Sequence, residues 1–299
     1  MSAESRLIRG MTYTEKLKDY WQLTRMHRPI GIYLLLWPTL WALWMAAGGV
    51  PPPHVLMVFI IGTVLMRAAG CAINDFADRD FDPHVERTRD RPVASGRVKP
   101  DEAVRLFVVL SLVAFGLLTS LKDMQTVLLA VPAAVLAGSY PFMKRWISIP
   151  QAYLGLAFSG GIPMAFSAIQ HQVPWGIVLP LIVANVCWVI AYDTLYAMVD
   201  REDDLRIGVK SSAILFGRHD RLMVALLHAT CLLILIQLGL NTGRGPAYFG
   251  GIALAAWIAV YQQWMTRTRD PQAAFKAFLN NNYFGAVIFI GLAVDFAIG

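Results

Sequence analysis

Two groups of carboxylates carry the chemistry of this chain. One is Asn74-Asp75-Phe76-Ala77-Asp78-Arg79-Asp80-Phe81-Asp82, and the other runs from Tyr192-Asp193 to Asp203-Asp204. Each lies at the end of a membrane-length apolar segment, where a carboxylate is costly to desolvate unless a partner offsets the cost. In the first group Asn74, Asp78 and Asp82 recur at i, i+4, i+8, and Asp75 joins Asp78 and Asp82 at i, i+3, i+7. A helix continued through this stretch would carry them on one stripe, which Arg67 extends into the apolar segment. In the second group Asp193, Tyr196, Asp200 and Asp204 fall at i, i+3, i+7, i+11, with Glu202 and Asp203 beside them. Hard cations such as Mg²⁺ take oxygen ligands and usually bind through one or two carboxylates plus substrate phosphates. Two facing stripes of this kind would hold divalent metal against a diphosphate. Two solvated acidic helix ends are the bland alternative. Their recurrence four spans apart, on otherwise basic surfaces, favours one shared site.

Cationic side chains surround these acids. Arg87, Arg89, Arg91 and Arg97 follow the first group, Lys210 follows the second, and Lys144 and Arg145 close the run Tyr140-Pro141-Phe142-Met143-Lys144-Arg145. Such groups neutralise a diphosphate and stabilise it as it leaves. They equally fit the excess of positive charge on the cytoplasmic side of membrane proteins. Arg67 is different, because an arginine inside a span normally faces a partner or a cavity. Tyr140 and Tyr196 either offer π-faces to a cation or anchor the chain at the interface. His228 and Asp295 stand alone in spans and read as buried or interfacial polar residues. Gly160-Gly161-Ile162-Pro163 either opens a helix toward a cavity or permits close packing.

The elements that position these residues are membrane helices. Hydrophobic residues make up 57% of the chain and charged residues 15%, against roughly a quarter charged in a soluble domain, and the mean hydropathy is +0.51. A helix needs about 20 mostly apolar residues to cross a bilayer. Nine such segments are expected: Ile30–Ala47, His54–Ile73, Leu106–Leu121, Met124–Met143, Ile149–Ile169, Trp175–Val199, Leu222–Leu240, Pro246–Met265 and Asn282–Ile298. The alternating segments of about 10 residues that a membrane β-barrel needs do not occur. One domain over residues 1–299 follows, an all-α polytopic bundle of nine transmembrane helices. Residues 1–28 form a cytoplasmic arm whose Thr14–His27 stretch suits a helix lying in the interface. Of 26 Lys and Arg, all but Lys122, Arg244 and the intramembrane Arg67 fall in that arm or in the loops after the even-numbered spans. The positive-inside rule therefore puts the arm and the acidic loops in the cytoplasm and the C-terminus outside. The sequence pI near 9.3 is accounted for by anionic lipid and an anionic substrate, with no call for nucleic acid. Cys71, Cys187 and Cys231 lie within spans without paired spacing and are expected to form no disulfide.

Asn74-Asp-x-x-Asp-x-x-x-Asp82, Asp200-x-x-x-Asp204 and Tyr140-Pro-x-x-Lys144-Arg145 together resemble the intramembrane aromatic prenyltransferases. The resemblance is closer to the 4-hydroxybenzoate polyprenyltransferases of ubiquinone biosynthesis. It rests further on Arg28-Pro-Ile-Gly31, Leu34–Trp44, Met66–Cys71, Tyr192–Asp200 and Phe275–Tyr283. It implies a central, cytoplasm-facing cavity and a bacterial inner membrane. It also implies an all-trans polyprenyl diphosphate bound through Mg²⁺, its apolar chain running between helices, and 4-hydroxybenzoate as acceptor. By position, Asn74, Asp78, Asp82, Asp200 and Asp204 form the metal–diphosphate set, with Asp75 and Asp203 as further members. Lys144, Arg91 and Lys210 draw off the diphosphate, and Arg145 or Arg67 holds the benzoate carboxylate. Asp193 orients or deprotonates the phenol, or joins the metal set, and Tyr140 and Tyr196 shield the allylic cation. Relatives with other acceptors remain the rival within enzymes. An ion-coupled transporter would place its ionisable groups near the bilayer midplane, whereas these crowd one face.

Overall fold

A computed structural model describes residues 13–299 apart from residue 144, so the part of the N-terminal arm before Tyr13 and the predicted site residue Lys144 lie outside the described residues. The described chain is helical, with no strand among those residues. In order the helices are α1 (Tyr13–Leu23), α2 (Ile30–Ala47), α3 (Pro53–Ala77), α4 (Pro100–Thr119), α5 (Met124–Met143), α6 (Pro150–Phe158) and α7 (Gly161–Gln170). They continue as α8 (Trp175–Ala197), α9 (Arg201–Ile207), α10 (Ser212–Phe216), α11 (Asp220–Asn241), α12 (Pro246–Met265) and α13 (Pro271–Ile298). Proline opens α3, α4, α6, α12 and α13, where its missing N–H costs nothing.

Eight segments are long and apolar enough to cross a membrane, with α6 and α7 counted together. The eighth predicted span, Pro246–Met265, forms as a 20-residue helix against α13 but is not among these eight segments. Its Gly250, Gly251, Gln262 and Gln263 dilute its hydropathy. The fifth predicted span, Ile149–Ile169, breaks at Ser159-Gly160. A Cβ at Gly160 would meet Ala133 Cβ at 2.6 Å, and one at Gly161 would meet Thr39 Oγ1 at 2.7 Å. Close packing of α5 and α2 therefore demands the two glycines, and both also line the central cavity.

The core is largely apolar and aromatic. Trp41, Trp188, Tyr192, Phe166 and Phe284 are fully buried, and Trp188 stacks on Phe284 with ring centroids 5.6 Å apart. His228 and Asp295 do have companions. His228 Nε2 lies 3.3 Å from Asn281 Oδ1, and the Asp295 carboxylate accepts the Gly245 N–H at 2.9 Å at the start of α12. The loops that carry the acidic groups gather at the end of the bundle where α1 docks. Lys16 pairs with Glu102 at 2.7 Å, Arg97 with Asp19 at 2.5 Å, and Arg25 with Asp75 at 2.7 Å.

Candidate active site

The helix expected to carry Asn74 through Asp82 as a stripe stops sooner. α3 ends at Ala77, Asp78 caps it, and Asp82 opens a short 3₁₀ turn. The loop nonetheless keeps the three together, because Asp82 N–H donates to the Asp78 carbonyl at 2.8 Å and Asn74 Nδ2 donates to Asp78 Oδ2 at 3.0 Å. The second stripe also breaks: α8 ends at Ala197 and Asp200 caps the short α9. Hydrogen bonds fix the loop that follows. Thr194 Oγ1 and Ser212 Oγ lie 2.7 Å apart, and Ser212 N–H donates to Gln151 Oε1 at 3.0 Å.

The two groups meet. Asp78, Asp82, Asp200 and Asp204 line one small cleft together with Arg87, Arg91 and Arg145. Beside it a cavity of about 840 Å³ takes in Asn74, Asp75, Asp193, Asp200 and Asp204 at its polar end. Toward the bilayer it is walled by apolar residues of α2 to α7, including Ala130, Ala133, Ala134 and Ala137. Those four alanines fall at i, i+3, i+4, i+7, one face of α5 bearing only methyl groups. The cavity thus joins a charged mouth to a channel with room for an alkyl chain.

Two arginines hold the carboxylates. Arg91 Nη1 lies 2.9 Å from Asp82 Oδ2, 3.6 Å from Asp75 Oδ1 and 3.9 Å from Asp78 Oδ2. Burial works to lower the Arg91 pKa, but Asp75 and Asp82 outweigh it and hold the guanidinium above its ordinary value. Arg87 Nε donates to Asp200 Oδ1 at 2.9 Å and stacks over the Tyr196 ring at 4.5 Å. It therefore ties the loop after α3 to the second acidic group. Breaking the largely buried Arg91–Asp82 pair leaves an uncompensated charge and is strongly destabilising.

A divalent ion fits this donor set. The ligands on offer are carboxylate and amide oxygens, and Asp75 Oδ2 is buried with no hydrogen-bond partner among the described residues. Among those residues no group of three or more carboxylate, histidine or cysteine side chains converges to hold an ion alone. A hard cation such as Mg²⁺ completes its shell with phosphate oxygens and water.

The remaining predicted residues separate by place. Arg67, Tyr140, Asp193, Tyr196 and Lys210 line the main cavity. Lys210 Nζ also donates to the Trp146 carbonyl at 3.1 Å. Arg145 lies in the small cleft, donating to the Ala77 carbonyl at 2.8 Å, with its guanidinium 5.1 Å from the Phe81 ring centroid. Asp203 lines neither cavity; it lies near Arg206 at 3.5 Å and Glu86 N at 3.4 Å. Four contributors carried no individual site role in the sequence reading: Arg87, named there only among the cationic residues after the first group, and Arg25, Tyr192 and Gly31. A Cβ at Gly31 would sit 2.2 Å from Arg67 Nε, so α2 lets the guanidinium lie against its backbone. The Tyr192 hydroxyl is buried in the cavity wall without a partner among the described residues.

Residues 35–288 match the model of the UbiA prenyltransferase family. The chain belongs to that family. It is 54% identical over 290 residues to a 4-hydroxybenzoate octaprenyltransferase of Aromatoleum aromaticum, covering 97% of this chain and 98% of the relative. It is 56% identical over 282 residues to the protein of the same name from Nitrosococcus oceani, covering 94% and 98%. Among solved structures, the apo UbiA homologue of Aeropyrum pernix superposes with a TM-score of 0.78 at 24% identity, covering 89% of this chain and 97% of that one. A UbiA homologue of Archaeoglobus fulgidus bound to GPP and Mg²⁺ superposes with a TM-score of 0.67 at 17% identity, covering 90% and 99%. The fold is thus that of a UbiA prenyltransferase, a multi-pass membrane bundle with its acidic motifs at one end.

Proposed function

We propose that this UbiA-family chain transfers a polyprenyl group from an all-trans polyprenyl diphosphate to the 3-position of 4-hydroxybenzoate. The reaction is Mg²⁺-dependent and serves an early membrane step of ubiquinone biosynthesis. The protein sits in a bacterial inner membrane, with the arm and site loops cytoplasmic and the C-terminus outside. The observation that carries this reading is the joined cavity: both acidic groups and their arginines at the mouth, an alanine-faced channel behind. The names of relatives above 50% identity support the choice of acceptor.

Asn74, Asp78, Asp82, Asp200 and Asp204 would hold Mg²⁺, with Asp75 close behind; Asp203, turned toward Arg206, is the outlying member. The ion supplies neutralisation of the leaving diphosphate. Arg91, Arg145, Lys210 and Lys144 offer charge-assisted hydrogen bonds to the same group. The C1–O bond of the prenyl diphosphate breaks with its electron pair passing to the diphosphate oxygen. The ring carbon ortho to the phenol attacks C1, and the ring then loses the proton from that carbon. Asp193 orients the phenol or takes its proton. Tyr140 and Tyr196 present their rings to the allylic cation, and the apolar channel keeps water from it. Arg67 holds the acceptor carboxylate in a bidentate pair. It lines the cavity and has no carboxylate partner among the described residues, whereas Arg145 is anchored in the small cleft.

The test is product formation by purified protein in detergent with Mg²⁺, 4-hydroxybenzoate and geranyl or longer all-trans diphosphates. A 3-prenylated hydroxybenzoate is expected. No product at any chain length, from demonstrably folded protein, would overturn the acceptor assignment.

A further inference from the structure

Asp220 lies outside both acidic motifs, at the first position of α11, and is completely buried. Its Oδ1 accepts the Arg221 N–H at 2.6 Å and lies 3.1 Å from Arg269 Nη2, while Oδ2 lies 2.9 Å from Arg201 Nη2. Arg201 is the residue directly after Asp200 and the first of α9, the helix that presents Asp203 and Asp204. Its Nη2 donates its hydrogens to the Gly217 carbonyl at 3.0 Å and to the Ala213 carbonyl, so its contact with Asp220 Oδ2 is an ion pair rather than a hydrogen bond. Arg269, in the loop before α13, reaches the Arg218 carbonyl at 2.7 Å. One buried carboxylate therefore binds the start of α9, the hairpin through residue 217 and the loop before α13. A buried charge this costly to desolvate persists where its partners are fixed by it. A seven-residue helix has little stability of its own.

From this geometry we infer that Asp220 is a positioning residue for the second acidic motif: through Arg201 it fixes where Asp200 and Asp204 stand against the first motif. The inference rests on the proposed metal–diphosphate role of Asp200 and Asp204. Asp220 touches no substrate, and its effect falls on diphosphate binding and spares the acceptor.

The experiment compares Asp220→Asn, Arg201→Gln and the double variant with wild type, in the full-length protein in detergent. Asp295→Asn, a buried carboxylate at the opposite end of the bundle, is the control. Two readouts are taken. Amide hydrogen exchange without any ligand should quicken roughly tenfold across residues 198–217 in both single variants, and leave α12 and the second half of α13 unchanged. In turnover with geranyl diphosphate, Mg²⁺ and 4-hydroxybenzoate, KM for the diphosphate should rise at least about tenfold while KM for the acceptor stays within about twofold. The double variant should be no worse than the worse single one, because the two residues act as a unit. Equal shifts in both KM values, additive effects, or a matching KM shift in Asp295→Asn would overturn the inference. If Asp220→Asn fails to fold, Arg201→Gln decides alone, since it leaves Asp220 paired with Arg269; wild-type exchange and KM there would overturn the coupling. A wild-type protein that makes no product would count against the proposed reaction and leave the exchange result to judge Asp220.

Discussion

Replacing Arg67 with methionine should separate binding from stability. The guanidinium is only partly exposed, lies 5.8 Å from the Phe158 ring centroid and has no carboxylate partner among the described residues. Burying such a charge costs free energy that the fold does not recover, whereas methionine keeps the hydrocarbon stem and its contact with the ring. Thermal stability should therefore hold or rise slightly. Acceptor binding should suffer, because removing one partner of a buried, hydrogen-bonded charge pair costs about 2–5 kcal/mol. The lower bound corresponds to a rise of about 30-fold in KM for 4-hydroxybenzoate. KM for the prenyl diphosphate should stay within about twofold, since its nearest anchor on α3, Asn74, lies about 10 Å further along the helix at 1.5 Å per residue and most of the others lie beyond α3. Lysine at the same position keeps the charge but loses the planar fork, so Arg67→Lys should recover part of the loss only. The assay is steady-state product formation with each substrate varied in turn, alongside a melting curve. An unchanged acceptor KM in Arg67→Met, with a raised one in Arg145→Met, would refute the assignment and transfer the carboxylate to Arg145.

Three further outcomes follow from the geometry. Ala130 lies about 15 Å along α5 from Tyr140 at 1.5 Å per residue, so Ala130→Phe should block the channel beyond a short chain. Dimethylallyl transfer should persist while farnesyl and longer diphosphates lose at least about tenfold in kcat/KM; equal loss at all lengths would place the chain elsewhere. At the other end of the bundle, burial works to raise the Asp123 pKa, but hydrogen bonds from Thr126 and Ser167 outweigh it and hold the carboxyl below its ordinary value. A depressed carboxyl stabilises the fold above its unfolded pKa and loses that contribution as pH falls through its folded value. Asp123→Ala should thus cost about 1 kcal/mol at pH 7, the worth of a helix cap, with the gap to wild type narrowing below about pH 4; a gap independent of pH in melting experiments would contradict this. Gly31→Val should raise the acceptor KM at least about fivefold by displacing Arg67, about 1 kcal/mol or half the low-end cost of removing the guanidinium outright; a purely structural glycine would not produce this shift.

Much of the site was legible because its residues are local in sequence. The spacing of Asn74, Asp78 and Asp82 survives the end of α3, since a turn closed by the Asp78 carbonyl keeps the helical neighbour relation. The Gly160-Gly161 pair reads as an opening toward a cavity or as close packing within one unbroken span; the packing of Ala133 and Thr39 explains the break that the chain makes there. The pairs that join distant segments were illegible. Arg87 and Asp200 are 113 residues apart, and in a loop with five arginines no pattern distinguishes the one that crosses. Arg25 and Asp75 pose the same difficulty across 50 residues. Asp220 gave no signal because a carboxylate at a helix start usually serves as a cap. Hydropathy located α12 but overstated its kinship with the other spans, since glutamine and glycine weaken it as a membrane segment while leaving it helical.

The central claim is that two acidic groups more than a hundred residues apart form one metal-dependent diphosphate site. Its most direct test is calorimetric titration of geranyl diphosphate into detergent-solubilised protein, with Mg²⁺ and with chelator, for wild type, Asp78→Asn, Asp200→Asn and the double variant. Binding should require Mg²⁺ and fall at least about tenfold in each single variant, with the double variant no weaker than the weaker single one. Binding indifferent to Mg²⁺, or losses that simply multiply in the double variant, would mean that the two groups do not share a ligand.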